Sequence, residues 1–185
     1  MVEDPGFAND DRVMGDLLLY SRKHRSVLLD TLEHTLPPSQ KLAAALIKGD
    51  PELFFHHEDG LTCLHYVARD GLLNILEVIA SRIPNDDRFV RFLESEYVTG
   101  LDSCNPETAL DIAIKNAAEG SKRWKIMEIF IRMGASKVNL SHCVLLRKKK
   151  VFRRLLKLCK ENSIAISLEE PERSELVKLA ANDIE

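Results

Sequence analysis

His56, His57, Cys63 and His65 form the densest group of potential metal ligands in the chain. Imidazole and thiolate are the usual donors for zinc, so a metal site is the first chemistry to weigh. Zinc frameworks place paired ligands two to four residues apart on each side, and this spacing fits no such signature. These side chains are therefore expected to be structural or exposed. An enzyme or metal-binding protein using the His56/His57/Cys63 region is the alternative. Other catalytic signals are missing. The chain has no G-x-S-x-G elbow, no phosphate-cradling glycine loop and no H-E-x-x-H. The acidic pairs Asp86-Asp87 and Glu169-Glu170 read as solvated helix caps. No enzyme is expected, and no cofactor or resident metal.

The strongest charge feature is Arg147-Lys148-Lys149-Lys150, continued by Arg153, Arg154, Lys157 and Lys160. On a helix these cations face water while Val151, Phe152, Leu155, Leu156 and Cys159 face inward. A solvated amphipathic face is the plain reading. An acidic protein partner, a nuclear-import signal and a phosphate-bearing ligand are the functional ones. No aromatic residue shares the solvent face of the cations, so nucleic acid is not an expected partner.

Composition narrows the class further. The 185 residues are 45% hydrophobic and 30% charged with a net charge of −3. That suits one globular domain with no global attraction to nucleic acid or membrane. The apolar runs are too short to cross a bilayer. The opening MVEDPGFANDD is acidic and polar, unlike a signal peptide. Cys63, Cys104, Cys143 and Cys159 form no C-x-x-C pair, which fits reduced thiols in the cytoplasm.

The elements that position these groups are clearest in Asp59–Ala80. Asp59-Gly60 is a turn pair and Thr62 an N-cap. Leu64, Val67 and Ala68 share one face of a first helix, which Gly71 ends in the left-handed conformation. Ile75, Leu76, Ile79 and Ala80 form the apolar face of a second, antiparallel helix. Neither helix buries its face alone, so the unit needs stacked neighbours.

Gly60, Thr62, Leu64, His65, Ala68, Gly71 and the Ile75/Leu76/Ile79 set resemble the ankyrin-repeat pattern G-x-T-P-L-H-x-A-A-x-x-G and its outer helix. Cys63 stands where that family usually has proline, and Val67 where it has alanine. The resemblance implies an all-α solenoid of stacked helix-turn-helix units with helical N- and C-terminal caps. Residues 1–38 are then an N-terminal cap with Val13, Leu17 and Leu18 on one helix and Val27, Leu28, Leu32 and Leu36 on another. Residues 39–58 read as a degenerate repeat, since Leu42 precedes Gly49 as Leu64 precedes Gly71, with Leu53 and Phe54 on a short outer helix. Its spacing to the next repeat, Leu42 to Leu64, is 22 residues against about 33 for the family.

The clear repeat 59–81 is followed by an inserted finger, 82–105, with a short helix around Asp86 to Tyr97 carrying Phe89, Val90, Phe92 and Leu93. Residues 106–137 form a second clear repeat, with Asp111 at the His65 position, Gly120 ending its first helix and Ile126, Met127, Phe130 and Ile131 on its outer one. A degenerate repeat, 138–161, uses Leu140, Cys143 and Val144, and 162–185 supplies a closing helix and tail. That glutamate-rich tail also resembles the C-terminal signals of effectors that intracellular bacteria inject into host cells.

What the ankyrin resemblance implies about function is a non-catalytic protein–protein interaction module, a monomer that binds a partner protein through its concave face and fingers. Glu58, Asp59 and Leu61 lie at the finger, Tyr66, Arg69 and Asp70 on the first inner helix, and Lys115 and Asn116 on the next. Phe89 and Phe92 of the inserted finger join them. Tyr66 is either an anchor for the partner or a packing residue, since aromatic side chains serve both ends. A secreted effector docking on a host protein is the alternative to a cytoplasmic module.

Overall fold

No described helix is long enough to be stable by itself. The longest have 13 residues, near the roughly 12–15 at which isolated helices are still marginal, so their stability comes from packing. The computed structural model describes residues 27–33, 36–58, 60–98, 106–136, 138, 140, 148–164 and 174. The expected helix around Val13–Leu18 and, apart from Ser174, the one over 172–182, together with Cys104, Cys143, Val144 and Asp59, lie outside the described residues.

The described chain is mostly helical. It runs α1 (Val27–Glu33), α2 (Pro37–Gly49), a 3-10 segment (Pro51–Phe55), β1 (His57–Glu58), β2 (Leu61–Thr62), α3 (Cys63–Asp70) and α4 (Leu73–Arg82). Then come α5 (Asp87–Leu93), β3 (Glu96–Tyr97), β4 (Glu107–Thr108), α6 (Ala109–Asn116), α7 (Lys122–Arg132) and α8 (Lys149–Glu161). The strands were not expected. They form two antiparallel ribbons, His57 opposite Thr62 and Glu96 opposite Thr108, each leading directly into a helix.

Packing sorts the helices into two rows. In one, α1, α3 and α6 lie side by side; in the other, α2, α4, α7 and α8 do. Within units, α1 pairs with α2, α3 with α4, and α6 with α7. This corrects the reading of 39–58 as a shortened repeat. The helix Pro37–Gly49 sits in the row of α4 and α7, and its partner is Val27–Glu33, which the sequence suggested was a cap. Burial agrees, because Ala43, Leu46 and Ile47 are enclosed while Leu42 is only half-buried.

Local chemistry explains where helices begin and end. Gly71 closes α3 at φ +73°, with its N–H donating to the Val67 carbonyl. Ser121 starts α7 by accepting from the Trp124 N–H, and Asp86 starts α5 by accepting from that of Phe89. The helix α6 ends at Asn116, earlier than expected, and Gly120 occupies the turn beyond it at φ +73°. On α8, Val151, Leu155, Leu158 and Cys159 are buried, whereas Phe152 is half-buried and Leu156 exposed. Ala80 is also exposed rather than part of the apolar face of α4.

Candidate functional site

Two equivalent turns set the first row of helices against the ribbons. At the start of α6, Thr108 donates from its backbone N–H and its hydroxyl to Asp111 Oδ2 (2.9 and 2.8 Å), and the Asp111 N–H donates back to Thr108 Oγ1. This reciprocal arrangement is a capping box. At the start of α3 the same position is His65. Its Nδ1 accepts from the Thr62 N–H at 3.1 Å and lies 2.8 Å from the Thr62 hydroxyl. An accepting Nδ1 leaves the hydrogen on Nε2, which donates to the Glu107 carbonyl at 3.3 Å. One imidazole thus ties the first ribbon's exit to the second's. Burial pushes its pKa down to about 4, against smaller opposing effects from the Glu107 and Ser95 carbonyls and the Glu107 carboxylate.

Cations from the next unit seal the C-termini of the first-row helices. Arg123 of α7 donates through Nε and Nη2 to the Arg69 carbonyl (3.0 and 2.6 Å). Lys148 donates to the carbonyls of Lys115 and Ala117 (2.6 and 2.7 Å). Positive charge there completes both the orphan carbonyls and the helix dipole. Lys148→Ala is expected to cost about 1 kcal/mol of unfolding free energy in a urea titration, whereas Lys157→Ala, at an exposed i,i+4 pair, is expected to cost a few tenths.

The basic run is therefore substantially employed within the fold. Lys150 pairs with Glu119. Arg154 Nε donates to Glu128 at 2.6 Å, beside the Trp124 indole N–H on the same oxygen. Arg147 lies outside the described residues.

The predicted partner-binding residues separate into three groups. Glu58, Arg69, Lys115 and Asn116 are exposed, and Leu61 and Asp70 half-buried. Arg69 forks onto the Asp70 carboxylate (2.8–3.2 Å), Lys115 approaches Glu107 at 3.4 Å, and Asn116 donates to the Ile112 carbonyl. Tyr66 is 6% exposed: its ring packs under the Arg69 guanidinium, 4.7 Å from the ring centre. It is largely a packing residue.

Phe89 and Phe92 are the correction. Their rings lie 5.6 and 4.8 Å from that of Phe54, and Phe92 also meets Phe55. With Phe89 fully enclosed and Phe92 7% exposed, neither offers a surface to a partner. Burying such rings contributes roughly 1.5–3 kcal/mol each, which outweighs presenting them to water. Arg88 fixes the same contact from outside, 3.7 Å above the Phe55 ring and bidentate to Glu52. At the helix's other end, Glu94 accepts from the Ser136 N–H, and Val90 faces Gly134. The inserted finger is thus anchored to the connectors beside the second row.

The histidine and cysteine residues occupy separate environments. Cys63 is buried with its thiol 3.8 Å from the Phe54 carbonyl, and burial raises its pKa well above the ordinary thiol value. His57 is exposed on β1, His56 is half-buried, and His65 is committed as above. Among the described residues, no three His, Cys, Asp or Glu side chains are grouped to hold a metal ion. Among the same residues, no helix is long and apolar enough to cross a membrane. Sequence reasoning missed Arg123, and it placed Lys148 in the basic run without foreseeing its hold on the Lys115 and Ala117 carbonyls. No family model, curated protein or solved structure matches this chain.

Proposed function

We infer that this chain is a non-catalytic protein-interaction module of ankyrin-like construction, engaging a partner through the exposed C-terminal ends of α3 and α6 and the adjoining ribbons. The observation that carries the reading is the first helical row. It runs unbroken across three units and displays Arg69, Asp70, Lys115 and Asn116, with Glu58 and Leu61 on the ribbon beside it. A surface that is fixed in shape and varied in charge binds proteins without a large ordering cost. The buried, protonated Cys63 is unsuited to nucleophilic chemistry, which requires a thiolate.

Deleting the finger is a poor test, because Phe89, Phe92 and Leu93 belong to the core. Surface substitution is the clean one. The combined change of Glu58, Arg69, Lys115 and Asn116 to Ala is expected to weaken a purified partner at least about tenfold. Glu77→Ala with Lys125→Ala, exposed on the second row, is expected to leave affinity within about twofold. Equal effects from both sets would remove the proposal.

A further inference from the structure

The inserted finger is held unevenly along its length. Its helix is fixed by apolar packing, with Phe89 and Leu93 enclosed and Phe92 against both Phe54 and Phe55. Its C-terminal end is fixed by one carboxylate. Glu94 Oε1 accepts from the Ser136 N–H at 3.0 Å and also from the Ser136 hydroxyl. Ser136 is exposed and Glu94 half-buried. A seven-residue helix has no stability of its own, and a wet polar contact is weaker than buried rings. The finger therefore opens from the Glu94 end.

What adjoins that end decides the consequence. Only Ser95 separates Glu94 from β3, whose Glu96–Tyr97 pairs with Glu107–Thr108. Thr108 forms the capping box of α6 with Asp111, and the Glu107 carbonyl receives His65 Nε2 from the start of α3. Both entry turns of the first row are thus tied to this ribbon. Ser136, by contrast, belongs to the connector that follows α7. Gly134 is bare toward the finger, since a Cβ added there would lie 3.3 Å from Val90 Cγ2. Ser136 also lines an open cleft of about 530 Å³ with Arg132, Asn162 and Ser163, so water reaches the contact.

We propose that α5 is a strap with the Glu94–Ser136 contact as its latch. Closed, it holds the second ribbon; open, it loosens the turns that start α3 and α6. The connector behind α7 is thereby coupled to the ribbons of the partner face, a consequence that rests on the interaction reading above. A negative group placed on Ser136 opens the latch by repelling the Glu94 carboxylate.

Hydrogen exchange on the full chain tests this without a partner. Ser136→Asp sets a second carboxylate against Glu94, and exchange in residues 94–98 and 107–111 rises about tenfold. Ser136→Ala keeps the backbone donor and raises it about threefold. Ser136→Asp combined with Glu94→Lys restores opposite charges and returns exchange to within about twofold of wild type. Ser81→Asp, at an exposed serine of α4, alters neither segment. Acceleration confined to 94–95, equal acceleration throughout α4, or no recovery in the charge-swapped pair would each overturn the proposal. A purified partner binds Ser136→Asp at least about fivefold more weakly and the charge-swapped pair as wild type. A partner weakened by the fourfold surface change but not by Ser136→Asp would overturn this inference alone. A partner indifferent to both would remove the interaction reading, with the exchange results still deciding the latch.

Discussion

Replacing Gly60 by alanine is expected to destabilise the protein by about 3 kcal/mol. Two causes add. Gly60 sits at φ +83°, where an L side chain is strained by roughly 1–2 kcal/mol. A Cβ there would also lie 2.2 Å from the Glu96 carbonyl oxygen and 3.3 Å from its carbon. That neighbour is backbone of the second ribbon, so relief requires the two ribbons to separate. Separation draws Glu107 away from His65 Nε2, because Glu96–Tyr97 pairs with Glu107–Thr108. Gly120→Ala is the matched control. Its φ is +73°, but nothing lies within 4 Å of its would-be Cβ, so only the backbone strain remains. Thermal unfolding should show a fall of roughly 10 °C for Gly60→Ala and less than half that for Gly120→Ala.

His65 should make stability depend on pH over a defined window. Its folded pKa of about 4 lies below the ordinary value of 6.5. The unfolded chain therefore binds the proton first as pH falls. The contribution is complete above pH 6.5, declines between 6.5 and about 4, and is constant below. The whole shift corresponds to about 3 kcal/mol. The physical cause is burial, which penalises the charged imidazolium against the neutral ring. Other groups titrate in the same range, so the informative quantity is wild type minus His65→Gln. That difference should shrink by about 3 kcal/mol from pH 7.5 to pH 4 in urea titrations. A difference independent of pH would show that the folded chain binds the His65 proton as readily as the unfolded one, and would contradict the lowered pKa.

The parts of this fold that were readable are those written in local chemistry. Thr62, Leu64, Ala68 and Gly71 mark a helix and its ends within ten residues, and α3 spans that interval. Ile75, Leu76 and Ile79 are all buried on α4 as their spacing requires. The register of the first unit was not readable in the same way. Leu42 and Gly49 repeat the seven-residue interval of Leu64 and Gly71, yet one helical period fits either row. What decides is the contact of α2 with α4 and of α1 with α3, which are matters of tertiary packing.

The candidate site divides along the same line. Arg69, Asp70, Lys115 and Asn116 follow from helix position, and the structure leaves them at the surface to differing degrees. Phe89 and Phe92 give the same sequence signal whether a partner or the core receives them. Phe54, thirty-five residues before Phe89, settles it. The Arg123 clamp on the Arg69 carbonyl spans 54 residues and has no local signature.

The central claim is that the first helical row, not the second, is the face that meets other proteins. Hydrogen exchange on the chain with and without a purified partner tests it most directly. The account predicts new protection in residues 57–70 and 109–117, with α4 and α8 unchanged. Protection confined to α8 or to α4 and α7, with the first row exchanging as before, would contradict it.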